Sequence, residues 1–186
     1  MKKIISSMLL SFVVASVVQA QDKYFTKTGK ITFDATVPAS PEKISGTNKT
    51  VTAVLVTSTG QVQFAVLMKG FQFERALMEE HFNENYVESS KFPKAEFKGM
   101  IANNTSINYG KDGSYPATVK GKMTIHGETK DVETAGTVKV SGGKISVAAN
   151  FAIPLEAYKI SVPTLVADKV ASNASIIVDC SLEPLK

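Results

Sequence analysis

The chain has 186 residues, a formal charge of +4 and a single cysteine. That length suits one domain able to bury a core without disulfide staples, and Cys180 has no second cysteine to pair with. The basic residues are dispersed among acids, as in Lys130-Asp131-Val132-Glu133, rather than gathered in a stripe, which argues against nucleic acid as a partner.

Residues 1–20, MKKIISSMLLSFVVASVVQA, have the three parts of a cleavable secretory signal. Lys2 and Lys3 supply the positive start, an apolar run follows, and Val18-Gln19-Ala20 places small residues where a signal peptidase cuts. The uninterrupted apolar part is shorter than the roughly 20 residues of a spanning helix. No cysteine follows the cut, so a lipid anchor is not expected. The expectation is an exported chain, periplasmic or secreted, with residues 21–186 as one domain and no membrane span after cleavage. Loss of the two lysines takes the charge from +4 to +2, since the segment holds no acid.

The rest of the chain mostly alternates apolar and polar residues with the period of half-buried strands. Phe25, Ile31 and Phe33 are read as facing one way, with Gly29 allowing a bend. A Pro/Ser/Gly/Asn-rich loop over residues 38–48 precedes strands at 51–57 and 61–73, joined by the hairpin signal Ser58-Thr59-Gly60. In the second strand the apolar phase shifts after Lys69-Gly70, which predicts a β-bulge or kink at Gly70.

Residues 74–86 form the best helical candidate, with Leu77, Met78, His81, Phe82 and Asn85 on a narrow stripe. Beyond the Phe92-Pro93 corner, Ala95, Phe97 and Ile101 resume the alternation. Tyr115, Ala117, Val119, Met123 and Ile125 then face inward, followed across a His126-Gly127 turn by Val132, Val138 and Val140. After Ser141-Gly142-Gly143 come Ile145, Val147, Ala149, Phe151 and Ile153. Residues 154–171, with prolines at both 154 and 163, predict a second short helical or loop segment before a last strand at 174–182. Eight or nine strands joined as a meander favour a closed antiparallel barrel over a sandwich: an all-β fold.

Three stretches then carry a resemblance: His81-Phe82; Lys91-Phe92-Pro93-Lys94-Ala95-Glu96-Phe97; and Gly121-Lys122-Met123-Thr124-Ile125-His126-Gly127-Glu128-Thr129-Lys130. In this order and spacing they resemble the YceI-like family of exported lipid-binding proteins. The resemblance implies an extended lipocalin-like barrel of about eight strands. It also implies an interior that holds a long apolar molecule: a polyisoprenoid, an isoprenoid quinone or a fatty amide. The chain departs from the family at residues 151–160. There the family pattern Phe-x-Ile-Asp-Arg-x-x-[Phe/Trp]-Gly-[Ile/Val] is replaced by Phe-Ala-Ile-Pro-Leu-Glu-Ala-Tyr-Lys-Ile, without the arginine.

The inward apolar positions are the candidate ligand surface: Phe64, Val66, Met68, Phe82, Phe97, Val119, Met123, Ile125, Val147 and Phe151. Small inward residues (Ala95, Ala117, Gly121, Ala149) leave room, and Met68 and Met123 adapt to irregular shapes. Tyr86, Lys94, Tyr158 and Lys159 are candidates for a polar rim. The competing reading of the same stripe is a plain packed core.

Chemistry is sparse. His81 and His126 stand 45 positions apart with no ligand cluster around either, so no metal is expected; His126 is read as bonding a turn and His81 as pinning the helix to the barrel mouth. No G-x-S-x-G elbow, P-loop or dinucleotide motif occurs, and Cys180 falls on the buried phase of its strand. The expected function is non-catalytic binding of a long-chain apolar small molecule, with no cofactor beyond such a bound lipid or isoprenoid. The alternative is a solid-cored barrel that contacts another envelope protein through its loops. A homodimer is compatible with such barrels, though nothing in the sequence specifies one.

Overall fold

In the computed structural model, which describes residues 22–38 and 40–185, the alternating segments become nine strands. These are β1 (Lys23–Thr36), β2 (Ser45–Val56), β3 (Gln61–Leu67), β4 (Gln72–Phe73), β5 (Lys94–Ile101), β6 (Gly113–Ile125), β7 (Glu128–Ser141), β8 (Lys144–Pro154) and β9 (Val170–Pro184). The signal-like segment lies outside the described residues. Eight strands close a barrel in the order β1-β9-β8-β7-β6-β5-β3-β2, with β2 returning to β1, and β4 adds two residue pairs at the start of β2. All pairings are antiparallel, and the pairing of β2 with β1 closes the two outer edges that an open sheet would present.

Turn chemistry sets the register. Gly142 and Gly143, both at positive φ, make the two-residue turn between β7 and β8, and His126-Gly127 makes the equivalent turn between β6 and β7. His126 adopts φ 51° there, a conformation that a side chain disfavours. Its ring explains why it is tolerated, as described below.

Four readings of the sequence are corrected. Register shifts on both sides of Gly29 put Thr26 and Tyr24, not Phe25, on the inner face of β1. The strand expected over 61–73 is interrupted, the bulge or kink expected at Gly70 taking the form of a 3-10 turn (Met68–Gly70) that ends β3 and lets β4 pair back to β2. The first loop is shorter than 38–48, because β2 already begins at Ser45. The helix α1 (Ala76–His81) continues as a π-helical turn (Phe82–Tyr86), but its attachment differs from the expected stripe: Leu77 is 60% exposed, His81 is exposed, and Phe82 does the anchoring. The Phe82 ring lies 5.0–5.5 Å from those of Phe33, Phe71 and Phe73. Residues 154–171 contain two short 3-10 turns, Glu156–Tyr158 and Thr164–Val166.

These elements give the barrel a floor and a mouth. Leu55, Ile101, Ile107, Ile145 and Leu182 fill the floor with buried side chains. The mouth is covered by α1, its π-turn, the 37–44 loop and the segment after β8.

Candidate ligand-binding site

Because β-strand side chains alternate, each strand contributes every second residue to the interior, and where those residues are small the interior is not filled. Ala95, Ala117 and Ala149 lie among the larger side chains of a chamber of about 120 Å³. Phe64, Val66, Phe97, Val119, Met123, Val147 and Phe151 line this inner chamber, together with Ile176 and Val178 of β9. Gly99 and Gly121 oppose one another on β5 and β6, and the Phe97 ring packs over the bare backbone they provide. The surface is almost wholly carbon.

A second chamber of about 250 Å³ sits at the mouth, bounded by Phe33, Phe73, Phe82, Tyr86, Leu155 and Ile160. Its rim carries charge that sequence reading missed. Arg75 Nη1 lies 2.7 Å from Glu42 Oε1, and Lys169 Nζ lies 3.8 Å from Glu42 Oε2. These three residues come from separate irregular segments and have no shared periodicity by which to find them.

The remaining candidates are placed elsewhere. Met68 and Ile125 line neither chamber: each sits one inward step closer to the mouth than Val66 and Met123, and with buried Ile153 and Phe82 they form a partition between the two spaces. Phe82 and Tyr86 belong to the mouth chamber, not the inner one. Lys94 is exposed at the start of β5. Tyr158 is no rim residue. It is 2% exposed, its neighbour Leu155 is equally buried, and burial raises its phenol pKa. Lys159 is exposed and bonds Glu128 at 2.6 Å, which holds that carboxyl below its usual range. In the family pattern quoted above, Leu155 occupies the arginine's place and Lys159 the glycine's, which accounts for the positive φ of 56° at Lys159.

His126 serves as a structural tie. Its Nδ1–H donates to the Tyr158 carbonyl at 3.0 Å, its Nε2 lies 2.7 Å from Glu88 Oε2, and Phe92 meets the ring at 4.6 Å. Glu88, His126 and Lys159 are the three non-glycine residues at positive φ among the described residues, and all three meet where the π-turn, the β6–β7 turn and the segment after β8 converge. Such clustered strain persists where surrounding contacts over-determine it.

Among the described residues, neither His126 nor Cys180 is set up as half of a nucleophile–base pair. Both nitrogens of His126 are engaged, and the Cys180 thiol is fully buried, its pKa pushed up to about 11 by desolvation. Among the described residues no three His, Cys, Asp or Glu side chains are placed to hold a metal ion, and no helix is long and apolar enough to cross a membrane.

Comparison with known proteins agrees with this architecture. The YceI-like domain description matches residues 13–181. The chain belongs to the YceI-like family. A polyisoprenoid binding domain from Saccharophagus degradans superposes with a TM-score of 0.74 at 11% identity, covering 89% of this chain and all of that one. BcnA of Burkholderia cenocepacia superposes at 0.67 with 17% identity, covering 83% of this chain and 95% of its own. At these identities the likeness establishes the YceI-like, lipocalin-like barrel fold. A search of the curated proteins finds no match.

Proposed function

We propose that this YceI-like protein is an exported, non-catalytic carrier or store for a long apolar lipid of the polyisoprenoid, isoprenoid quinone or fatty amide class. The observation that carries this reading is the inner chamber: an unfilled, carbon-walled space inside a barrel small enough for side chains to fill entirely. A solid-cored interaction module would have no use for it. The relative from Saccharophagus, named as a polyisoprenoid binding domain, supports the same class of ligand.

The energetics favour a chain-like guest. Each buried methylene contributes roughly 0.8 kcal/mol, so affinity accumulates along the chain with few polar contacts. Pockets for drug-sized ligands run from about 300 Å³ upward. Neither chamber alone reaches that size, so a guest of tens of carbons spans both and displaces the partition of Met68, Ile125, Ile153 and Phe82.

Filling the chamber is the test. Met123→Trp or Phe64→Trp should abolish uptake of a long-chain fluorescent lipid while circular dichroism and thermal unfolding stay close to the parent. Undiminished uptake by folded variants would remove the chamber from consideration.

A further inference from the structure

The barrel wall is not uniformly closed. The β7–β8 ladder runs from Ser141↔Lys144 only as far as Gly136↔Ala149. Beyond that point β7 stays paired with β6 back to Glu128, and β8 stays paired with β9 out to Pro154, but not with each other. The ladder ends at a glycine, where the two backbones approach closely: a Cβ on Gly136 would stand 2.8 Å from the Ala148 carbonyl oxygen. Above the gap the wall is re-joined by the His126–Tyr158 hydrogen bond and the Lys159–Glu128 ion pair.

The inner chamber reaches this gap. Val132 and Thr134 on one side and Ala149 and Phe151 on the other line the chamber, and so do Thr137 and Ala148, the outward-facing pair next to the end of the ladder. Inward residues beside the gap are part-buried, like Phe64, Val119 and Ile176 elsewhere on the chamber wall, whereas Val138 and Ile145 below it and Ile153 above it are buried. Below the chamber lies the buried floor of Leu55, Ile145 and Leu182, and above it the buried side chains of Met68, Ile125 and Phe82 stand between it and the mouth until a guest displaces them.

We propose that the gap between β7 and β8 is a lateral portal through which the apolar chain enters and leaves the inner chamber, without passing the mouth. This rests on the lipid-binding reading above and adds the route. The occupant is the hydrocarbon chain itself, because the portal offers carbon surface at Val132 and Phe151 and the flanking Asp131 and Glu133 lie on the outer phase, while Lys130, on the inner phase beside Met123, is exposed and reaches Glu128 at 4.0 Å. Those charges also discourage a foreign strand from pairing with the bare edges.

The test is kinetic. Glu133→Cys with Ala152→Cys, two exposed positions astride the gap, are bridged by a flexible bis-maleimide; Leu77→Cys with Leu165→Cys, both exposed, are bridged across the mouth. Cys180 is buried and does not compete for the reagent. Stopped-flow fluorescence with parinaric acid, a polyene fatty acid, follows entry and release, and Ala135→Trp, on the outer face beside the gap, obstructs it without cross-linking. The portal predicts that the bridge across the gap slows association and dissociation together by about ten-fold or more at unchanged Kd, because a narrowed path alters rates and not the end states. Ala135→Trp should do likewise, and the mouth bridge should alter neither rate. Parent-like rates in both gap variants, or slowing confined to the mouth bridge, overturn the portal. Should the parent take up no parinaric acid, or Met123→Trp take it up unchanged, the chamber reading falls first and the portal with it.

Discussion

A Cβ atom on Gly29 would stand 2.5 Å from the sulfur of Cys180, so the one cysteine of the chain is packed against the one place in β1 where a side chain is missing. The register of β1 against β2 shifts on both sides of Gly29, and the thiol donates weakly to the Lys30 carbonyl at 3.8 Å. The pair is a strand irregularity filled by a sulfur. Gly29→Ala should therefore cost about 1–3 kcal/mol by overpacking. In the double variant with Cys180→Ala that cost should shrink, since the two sites share one space. Urea unfolding of the four forms decides: strictly additive losses would show that the contact is not what constrains Gly29.

The same thiol sets an alkaline limit. Burial raises the Cys180 pKa from 9.0 to about 11, and raises Tyr109, whose hydroxyl donates to Asn104, from 10.0 to about 12. Both folded values lie above the unfolded ones, so between them the unfolded chain holds fewer protons and stability falls as pH rises. The contribution of Cys180 is intact below pH 9 and is lost by about 11; that of Tyr109 is lost between 10 and 12. Thermal unfolding followed from pH 7 to 11 should show a plateau, then a fall in Tm beginning near 9. In Cys180→Ala the fall should begin about one pH unit later, with Tyr109, and an unchanged onset would contradict the assignment.

His126 occupies a turn position that favours asparagine or glycine, and keeps it because its ring ties three segments together. His126→Asn removes the strain of a bulky residue at positive φ but also both bonds. A net loss of about 1–2 kcal/mol follows if the bonds dominate. Amide exchange resolves the question locally. Residues 155–160 should exchange faster than in the parent while the middle of β6 does not, and equal exchange at 155–160 would show that the tie holds nothing.

Lys159→Gly probes the opposite balance. The lysine sits at φ 56° and offers only an exposed ion pair to Glu128. The left-handed conformation costs a side chain roughly 1–2 kcal/mol, and glycine's extra unfolded-state entropy recovers part of that, so the variant should be stabilised by up to about 1 kcal/mol. A lower Tm would mean that the ion pair closing the top of the β7–β8 gap outweighs the strain.

The barrel was legible because antiparallel hairpins with one buried face write their pairing into a period of two, as in 115–125 and 145–153. The irregular places were not. A bulge at Gly29 reverses the inward phase, and nothing in Phe25 announces that it lies on the outer side of it. Seven chamber residues could be read from alternation, but alternation says which way a side chain points and not at what depth. Met68 and Ile125 therefore looked like lining and are partition. Tyr158 looked like a rim residue because it lies outside regular strands, yet the segment after β8 folds back and buries it. The mouth cluster of Glu42, Arg75 and Lys169 and the open stretch beside Gly136 depend on where separate segments meet, although a lone glycine inside β7 was an available signal of close backbone approach.

The central claim is that the chamber holds a lipid, and mass spectrometry of native protein tests it most directly. The chain is purified from the envelope of its own host, extracted with organic solvent and compared with a mock purification. A long-chain apolar species should appear in near-stoichiometric amount, present in the parent and missing from folded Met123→Trp. A clean extract from folded, membrane-exposed parent protein would contradict it.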